Sequence, residues 1–415
     1  MKKPWIAAAA MALPLMLTAC GGSTPPGASG GGGGGSSPDT ITIGSVHPLS
    51  GASAGDGQQM DNAAKLAVDD INAAGGIDCL KGAKLKLDSA DSQGKPEVGQ
   101  SEAQRLIQNG AVALLGTYQS AVSQNVAAVA ERNKVPFVID VSSADAILQQ
   151  GYKFTFRLQP SGTVLAEKGA QFLSDLSKKA GSQAKTVAIL NEQGPFGTAI
   201  AKTFSDKAKS LGMNIGPQIS YDPANVSDFT TQMTTIKESG ADVLMVAGYY
   251  RDGVLAAKAV STVKPTLNAV WGVANGAFDT PQFPGEAGAA GEGFFDVNYR
   301  LDMTNKDTQK VVKEFKDKYN DDIRTAAVLS YDAVRVIADA LGRSCDASPA
   351  KLRDAIAKTK LDALVAQDGP IQFTEAGENE NATPIVMQVQ SGEVKQVFPE
   401  GSAQTKPVYP ASPGQ

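Results

Sequence analysis

From residue 40 onward the chain alternates short, continuously apolar runs with longer stretches of helical period, and nothing else in it constrains the fold as much. A strand with one face in water alternates apolar and polar side chains, whereas a strand apolar throughout is covered on both faces, as in a parallel sheet between helices. The run at 41–46 leads to a helical pattern at 57–72 that stops at Gly75-Gly76, a fitting C-terminal glycine signal. Strand-like runs at 84–89, 112–115 and 137–141 and helical patterns at 97–109 and 120–133 complete one doubly wound α/β unit.

The same alternation restarts after Phe154-Thr155-Phe156-Arg157. Helices are expected at 163–176, 196–211, 229–238 and 252–260, and strands at 187–190, 215–221, 243–247 and 270–273. Helical patterns follow at 308–319, 326–341 and 351–358. Then come β-rich segments at 370–373 and 385–390, the latter pairing with 393–397 across the turn Ser391-Gly392. The folded part, about 370 residues, exceeds what one core supports, so two lobes are expected.

The first residues read as an address. Lys2 and Lys3, an apolar stretch at 5–17 and the small pair Thr18-Ala19 form a secretory signal over 1–19, too short to span a bilayer. Leu17-Thr18-Ala19-Cys20 resembles the bacterial lipobox, which makes Cys20 an acylated membrane anchor. Residues 20–39, with glycine at every position from 30 to 35, form a flexible tether that cannot bury a core. An exported chain sits where disulfides persist, so Cys79 and Cys345 are expected to pair.

Composition excludes several functions. Acidic side chains number 43 against 38 basic, and Lys2 and Lys3 leave with the leader, so the mature chain is acidic and nucleic acid is not a partner. Gly51-Ala52-Ser53-Ala54-Gly55 matches a nucleophile elbow, but the one histidine, His47, precedes the serine where that order requires it last. His47 is read as a loop residue beside Pro48, and without a Cys or His cluster it builds no metal site. Phosphate-loop and dinucleotide-loop motifs are absent, so no cofactor is expected and any ATP is used by a partner.

Open α/β sheets place ligands beyond the carboxyl ends of their strands. Two such ends in the first unit carry small hydroxyl residues before a helix: Gly116-Thr117-Tyr118-Gln119-Ser120 and Val141-Ser142-Ser143-Ala144-Asp145. Either cluster can be a simple helix cap, and both can face one crevice.

Pro48-Leu49-Ser50-Gly51, the stretch Leu66-Ala67-Val68-Asp69-Asp70-Ile71-Asn72-Ala73-Ala74-Gly75-Gly76-Ile77, the strand Val135-Pro136-Phe137-Val138 and Tyr331-Asp332-Ala333 carry a family resemblance. The chain resembles the branched-chain amino acid class (type I fold) of periplasmic solute-binding proteins of ABC transporters, in a lipoprotein form. The resemblance implies two doubly wound lobes joined by a three-strand hinge, the first from 40–157 and 297–372, the second from 158–296 and 373–405. It implies that a solute carboxylate and ammonium meet Ser120 and the stretch Ser142, Ser143 and Ala144, with Tyr118 in the pocket lining. Phe196 and Tyr249 would close from the second lobe. The acidic residue the family uses for the ammonium should follow Val273, where this chain has Ala274 and Asn275. Asn275 is then the polar candidate there, and Asp56, where relatives often carry an aromatic, either replaces the missing charge or marks a ligand that is not an α-amino acid. Asp279, beside Thr280, is read as a helix cap before it is read as a substitute.

The expectation is a monomeric, exported, lipid-anchored receptor, not an enzyme. It would hand a small solute to an ABC permease and its ATPase by hinge closure. Aliphatic amino acids are the first ligand class, with amides, small carboxylates and aromatic acids behind them. The rival is a sensor that docks on a membrane signalling receptor.

Overall fold

Strand Thr40–His47 (β1) is apolar enough to be covered on both faces, and Ile41, Ile43 and Val46 are fully buried in it. The computed structural model describes residues 39–414. The leader, Cys20 and the tether up to residue 38 lie outside the described residues.

After β1 the chain forms helix Ala54–Ala73 (α1), strand Lys84–Asp91 (β2), helix Pro96–Gln108 (α2), strand Ala113–Gly116 (β3), helix Ser120–Asn133 (α3), and strands Phe137–Ile139 (β4) and Thr155–Arg157 (β5). These five strands make an all-parallel sheet in the order β2-β1-β3-β4-β5. Register is tight where β1 and β3 end together, with Val46 opposite Gly116. Gly116 has φ +126°, and a Cβ there would sit 2.3 Å from the Val46 carbonyl oxygen, so only glycine lets β3 leave the sheet at this point.

The second unit runs through helix Gly162–Lys179 (α4), strand Thr186–Glu192 (β6), helix Pro195–Ser210 (α5), strand Asn214–Tyr221 (β7), helix Thr230–Ser239 (α6), strand Val243–Ala247 (β8), helix Tyr250–Val263 (α7) and strand Ala269–Val273 (β9). A short helix, Phe283–Ala287 (α8), and strand Phe295–Asn298 (β10) follow. Helices Lys306–Tyr319 (α9), Thr325–Ser344 (α10) and Pro349–Ile356 (α11) come next, and the hairpin Ile385–Gln390 (β11) and Glu393–Phe398 (β12) closes the sheet. The second sheet has the order β12-β11-β10-β9-β8-β6-β7. Its strands are parallel except that β11 runs antiparallel to β10 and β12.

Two differences from the sequence reading have physical causes. The expected strand at 370–373 reduces to isolated bridges, Leu361 to Ile371 and Phe373 to Asn379, since Pro370 has no N–H to add to a ladder. Strand β10 was not anticipated because a fully buried acid, Asp296, interrupts its apolar run.

The chain passes three times between the two cores. Leu158 belongs to the first and Leu165 to the second, Val297 to the second and Tyr299 to the first, Phe373 to the first and Val386 to the second. Helices α9 to α11 return to the first core, where the Tyr331 hydroxyl of α10 donates to Asp70 of α1 at 2.6 Å. A Cys79–Cys345 disulfide, with Cα atoms 5.4 Å apart, pins the turn after α1 to the end of α10. It joins residues 266 apart in sequence, so both halves of the first lobe depend on chain from opposite ends of the protein.

His47 is not a loop residue: it closes β1 and is fully buried. Its Nε2 lies 2.8 Å from Asp140 Oδ2, which also accepts from the Ser330 hydroxyl at 2.7 Å, and its Nδ1 lies 2.8 Å from Ser45 Oγ. Ser45 in turn donates to Asp61 at 3.1 Å. This buried chain ties β1, α1, the end of β4 and α10 together. It has the residue types of a hydrolase triad, but Ser45, His47 and Asp140 expose no surface to a substrate, and Ser53 is not in it.

Candidate functional site

The carboxyl ends of β3 and β4 face the start of α5, α7 and the segment after β9 across a narrow cleft. Its position follows from topology, since the loop after β3 and the loop after β4 leave neighbouring strands on the same side.

Ser120, the first residue of α3, and Ser143 line the first-lobe wall. The Ser120 hydroxyl oxygen accepts the Ala144 N–H at 3.3 Å, which fixes one loop against the other. Ser142 and Ala144 do not line the cleft. Ser142 is a latch: its hydroxyl donates to the Thr117 carbonyl at 3.1 Å and lies 2.6 Å from that of Ser123. Arg157, fully buried, donates to the Ala144 carbonyl at 3.0 Å and to that of Ser142 at 3.4 Å, and pairs with Glu378. The loop that carries Ser143 is thus held by the residue at which the chain leaves the first sheet.

Tyr118, Tyr249 and Phe196 form a row across the cleft, with ring centroids 5.3 Å apart for the tyrosines and 5.7 Å for Tyr249 and Phe196. Tyr249 caps α7 and is fixed by Asp252, whose carboxylate accepts the Tyr249 N–H at 3.2 Å and the Tyr221 hydroxyl at 3.1 Å. Burial raises Asp252 to about 6 despite these bonds. Gly276 allows the second lobe to come close, since a Cβ there would sit 2.5 Å from the Tyr118 hydroxyl.

Asp56, in the first turn of α1, is in the cleft, but it is not free to act alone. Arg324, at the start of α10, holds its carboxylate with Nη1 2.5 Å from Oδ1, and places its guanidinium 3.9 Å from the Tyr250 ring centroid in the second lobe. Burial raises the Asp56 pKa, with the Arg324 charge and hydrogen bonds from Arg324 and Tyr118 acting against it. Asp279 also lines the cleft and does not cap α8, whose preceding residue is Gln282. Burial raises Asp279 to about 7, opposed by the Arg300 charge and a hydrogen bond from Thr325, and reinforced by the charge of Asp56. Asn275 turns into the second lobe: its Oδ1 accepts the Ala277 N–H at 2.9 Å and its N–H donates to Asp296 at 3.3 Å. Ala274 lines the cleft in its place, with φ +51°.

Sequence reasoning missed Arg324, Gln159, Thr280, Asn298 and Tyr299, all in the cleft wall. Arg324 had no local signal, because its partner Asp56 is 268 residues away. Among the described residues no cluster of His, Cys, Asp and Glu could hold a metal ion.

Two α/β lobes with a polar and aromatic cleft at their strand ends have the architecture of a solute-binding protein. The chain belongs to the periplasmic binding protein family, whose model matches residues 40–393. It is 28% identical over 376 residues to "Leu/Ile/Val-binding protein homolog 8" of Brucella abortus (strain 2308), covering 88% of this chain and 92% of that one. A leucine binding protein, LivK, from Thermotoga maritima superposes with a TM-score of 0.75 at 23% identity, over 86% of this chain and 97% of the other. The LivJ protein of Streptococcus pneumoniae in complex with isoleucine gives 0.74 at 23%, over 87% and 100%. A solute binding protein from R. palustris in complex with benzoate gives 0.73 at 19%, over 86% and 95%. At these identities the structures share the fold, and ligands as unlike as isoleucine and benzoate occur on it.

Proposed function

We propose that the protein is a lipid-anchored receptor that closes on an α-amino acid, or a related amide or carboxylate, and delivers it to an ABC permease. The observation that carries this reading is the opposition of Ser120 and Ser143 on one wall to Tyr249 and Phe196 on the other. The serine hydroxyls and the N-terminus of α3 suit a carboxylate. The aromatic row closes over what lies on them. The relatives named for Leu, Ile and Val support an amino acid as the cargo. The lobes are taken as 40–157 with 297–372 and 158–296 with 373–405. Closure of the second over the first needs no covalent chemistry, only contacts that both lobes make in the closed state.

A thermal-shift panel of amino acids, amides and carboxylates tests the reading. A ligand at a hundred times its Kd adds about 2.7 kcal/mol and raises the melting temperature. Ser120→Ala is expected to weaken the responding carboxylate ligand by at least about tenfold, the scale of a hydrogen bond to a charged group. Unchanged affinity removes the carboxylate from Ser120. Anchoring through Cys20 is checked by fractionation: Cys20→Ser should move the protein from membrane to soluble fraction, and retention on the membrane counts against the anchor.

A further inference from the structure

The wall beyond the serines is not that of an aliphatic pocket. Its aliphatic side chains are Val141, Ala274 and Ala326, none with the reach of a leucine or isoleucine. Facing them are Asp56 and Arg324, an ion pair with 5% and 10% of the side-chain surfaces exposed, and Asp279 from the opposite lobe. The Nε of Arg324 is buried and has no hydrogen-bond partner among the described residues. Asp279 has the charge of Arg300 beside it. Asp56 and Arg324 therefore set an acceptor and a donor side by side in this end of the cleft.

Resting on the reading of this cleft as the ligand site, we propose that the Asp56–Arg324 end takes a primary carboxamide. Its N–H group would donate to Asp56 and its carbonyl would accept from Arg324. A methyl pair placed there strips water from the ion pair and returns no hydrogen bond. A carboxylate placed there meets the negative charge of Asp56. An ammonium competes with Arg324, which is already held over the Tyr250 ring. A carboxamide is neutral and supplies a donor and an acceptor on one planar group. The amide can be the side chain of an amino acid whose carboxylate sits on Ser120, or it can belong to a simple amide with no such head.

Calorimetric titration of the unmodified protein separates these cases. Asparagine, leucine and aspartate share one heavy-atom skeleton and differ only in the terminal pair of atoms. Glutamine and glutamate extend the series, and propionamide lacks the amino acid head. The expected result is that asparagine or glutamine binds at least about a hundredfold more tightly than leucine, since a site built to hydrogen-bond a group rejects the analogue lacking it. Propionamide equal to asparagine would keep the carboxamide subsite and remove the amino acid head from Ser120. Leucine equal to or tighter than the amides overturns the inference and leaves the receptor reading standing, as does tighter binding of aspartate or glutamate. No response from any of the six overturns both. In the double variant Asp56→Leu, Arg324→Met, which removes both charges together, the preference for asparagine over leucine should vanish. A preference kept in that variant, correctly folded, overturns the assignment to this pair. If the variant does not fold, the ratio in the unmodified protein decides.

Discussion

Ala274 shows how one residue can carry both a cost and a clue. Its φ of +51° lies in the left-handed region, where a Cβ crowds the backbone, while its methyl packs only at the margin of the second core. Ala274→Gly is therefore expected to stabilise the protein by about 1 kcal/mol, reduced by the greater freedom glycine has in the unfolded chain. Urea unfolding measures it, and a loss of stability would show that the conformation is not strained. Asp56 was legible as a candidate because it stands where relatives of the resembled family often carry an aromatic. Its partner was not, because an Arg before a helix reads as any other surface charge until the fold brings it across 268 residues. Ser142 was misjudged for the opposite reason: a hydroxyl in a motif looks like a ligand group whether it faces the cleft or, as here, a neighbouring loop.

At the scale of elements, helices were read most closely, since apolar period and end signals are both local. Helix α3 runs from Ser120 to Asn133 and β8 from Val243 to Ala247, as their sequence patterns indicate. Elements whose pairing is not local were harder. Strand β10 is four residues long with an acid inside it, and the bridges near Ile371 belong to no ladder. The crossings between lobes depend on Arg157, which ties β5 to Glu378 in the third crossing and to the ligand loop through the Ala144 carbonyl. Removing it leaves Glu378 without its partner in the hinge and frees the loop. Arg157→Ala is expected to cost on the order of 3 kcal/mol of stability, because it takes the donor from the buried Ser142 and Ala144 carbonyls and from the half-buried Glu378 carboxylate together. It should also weaken the ligand found by the panel. A melting temperature and a Kd both unchanged would show that neither hinge nor loop relies on it.

For the whole molecule, the burial of acids has a protonic consequence. Asp279 has its ordinary carboxyl pKa of about 4 in an unfolded chain and about 7 in the folded cleft, where burial and the negative charge of Asp56 outweigh Arg300 and Thr325. Nearby Asp296, also raised by burial, acts in the same direction. The folded protein then binds more protons than the unfolded chain between those two values, so this contribution to stability falls as pH rises from about 4 to 7. Asp252, raised to about 6, adds to it. The melting temperature is expected to drop by on the order of a few degrees from pH 5 to pH 8, and Asp279→Asn should reduce that drop. A melting temperature that rises over this range would reverse the sign and contradict a buried, proton-holding Asp279. By itself the sequence determined the two doubly wound lobes and the serine clusters at the first lobe's strand ends, because each is written in local period or in a contiguous motif, while Tyr118, Phe196 and Tyr249 were singled out only through the family resemblance. The tertiary structure alone decided that Asp56 is held by Arg324, that Asp279 faces the cleft, that Asn275 turns from it and that His47 is sealed in a buried network. Those facts depend on which distant segments meet, and a burial that turns a charge into half of an ion pair leaves no mark on the residues beside it.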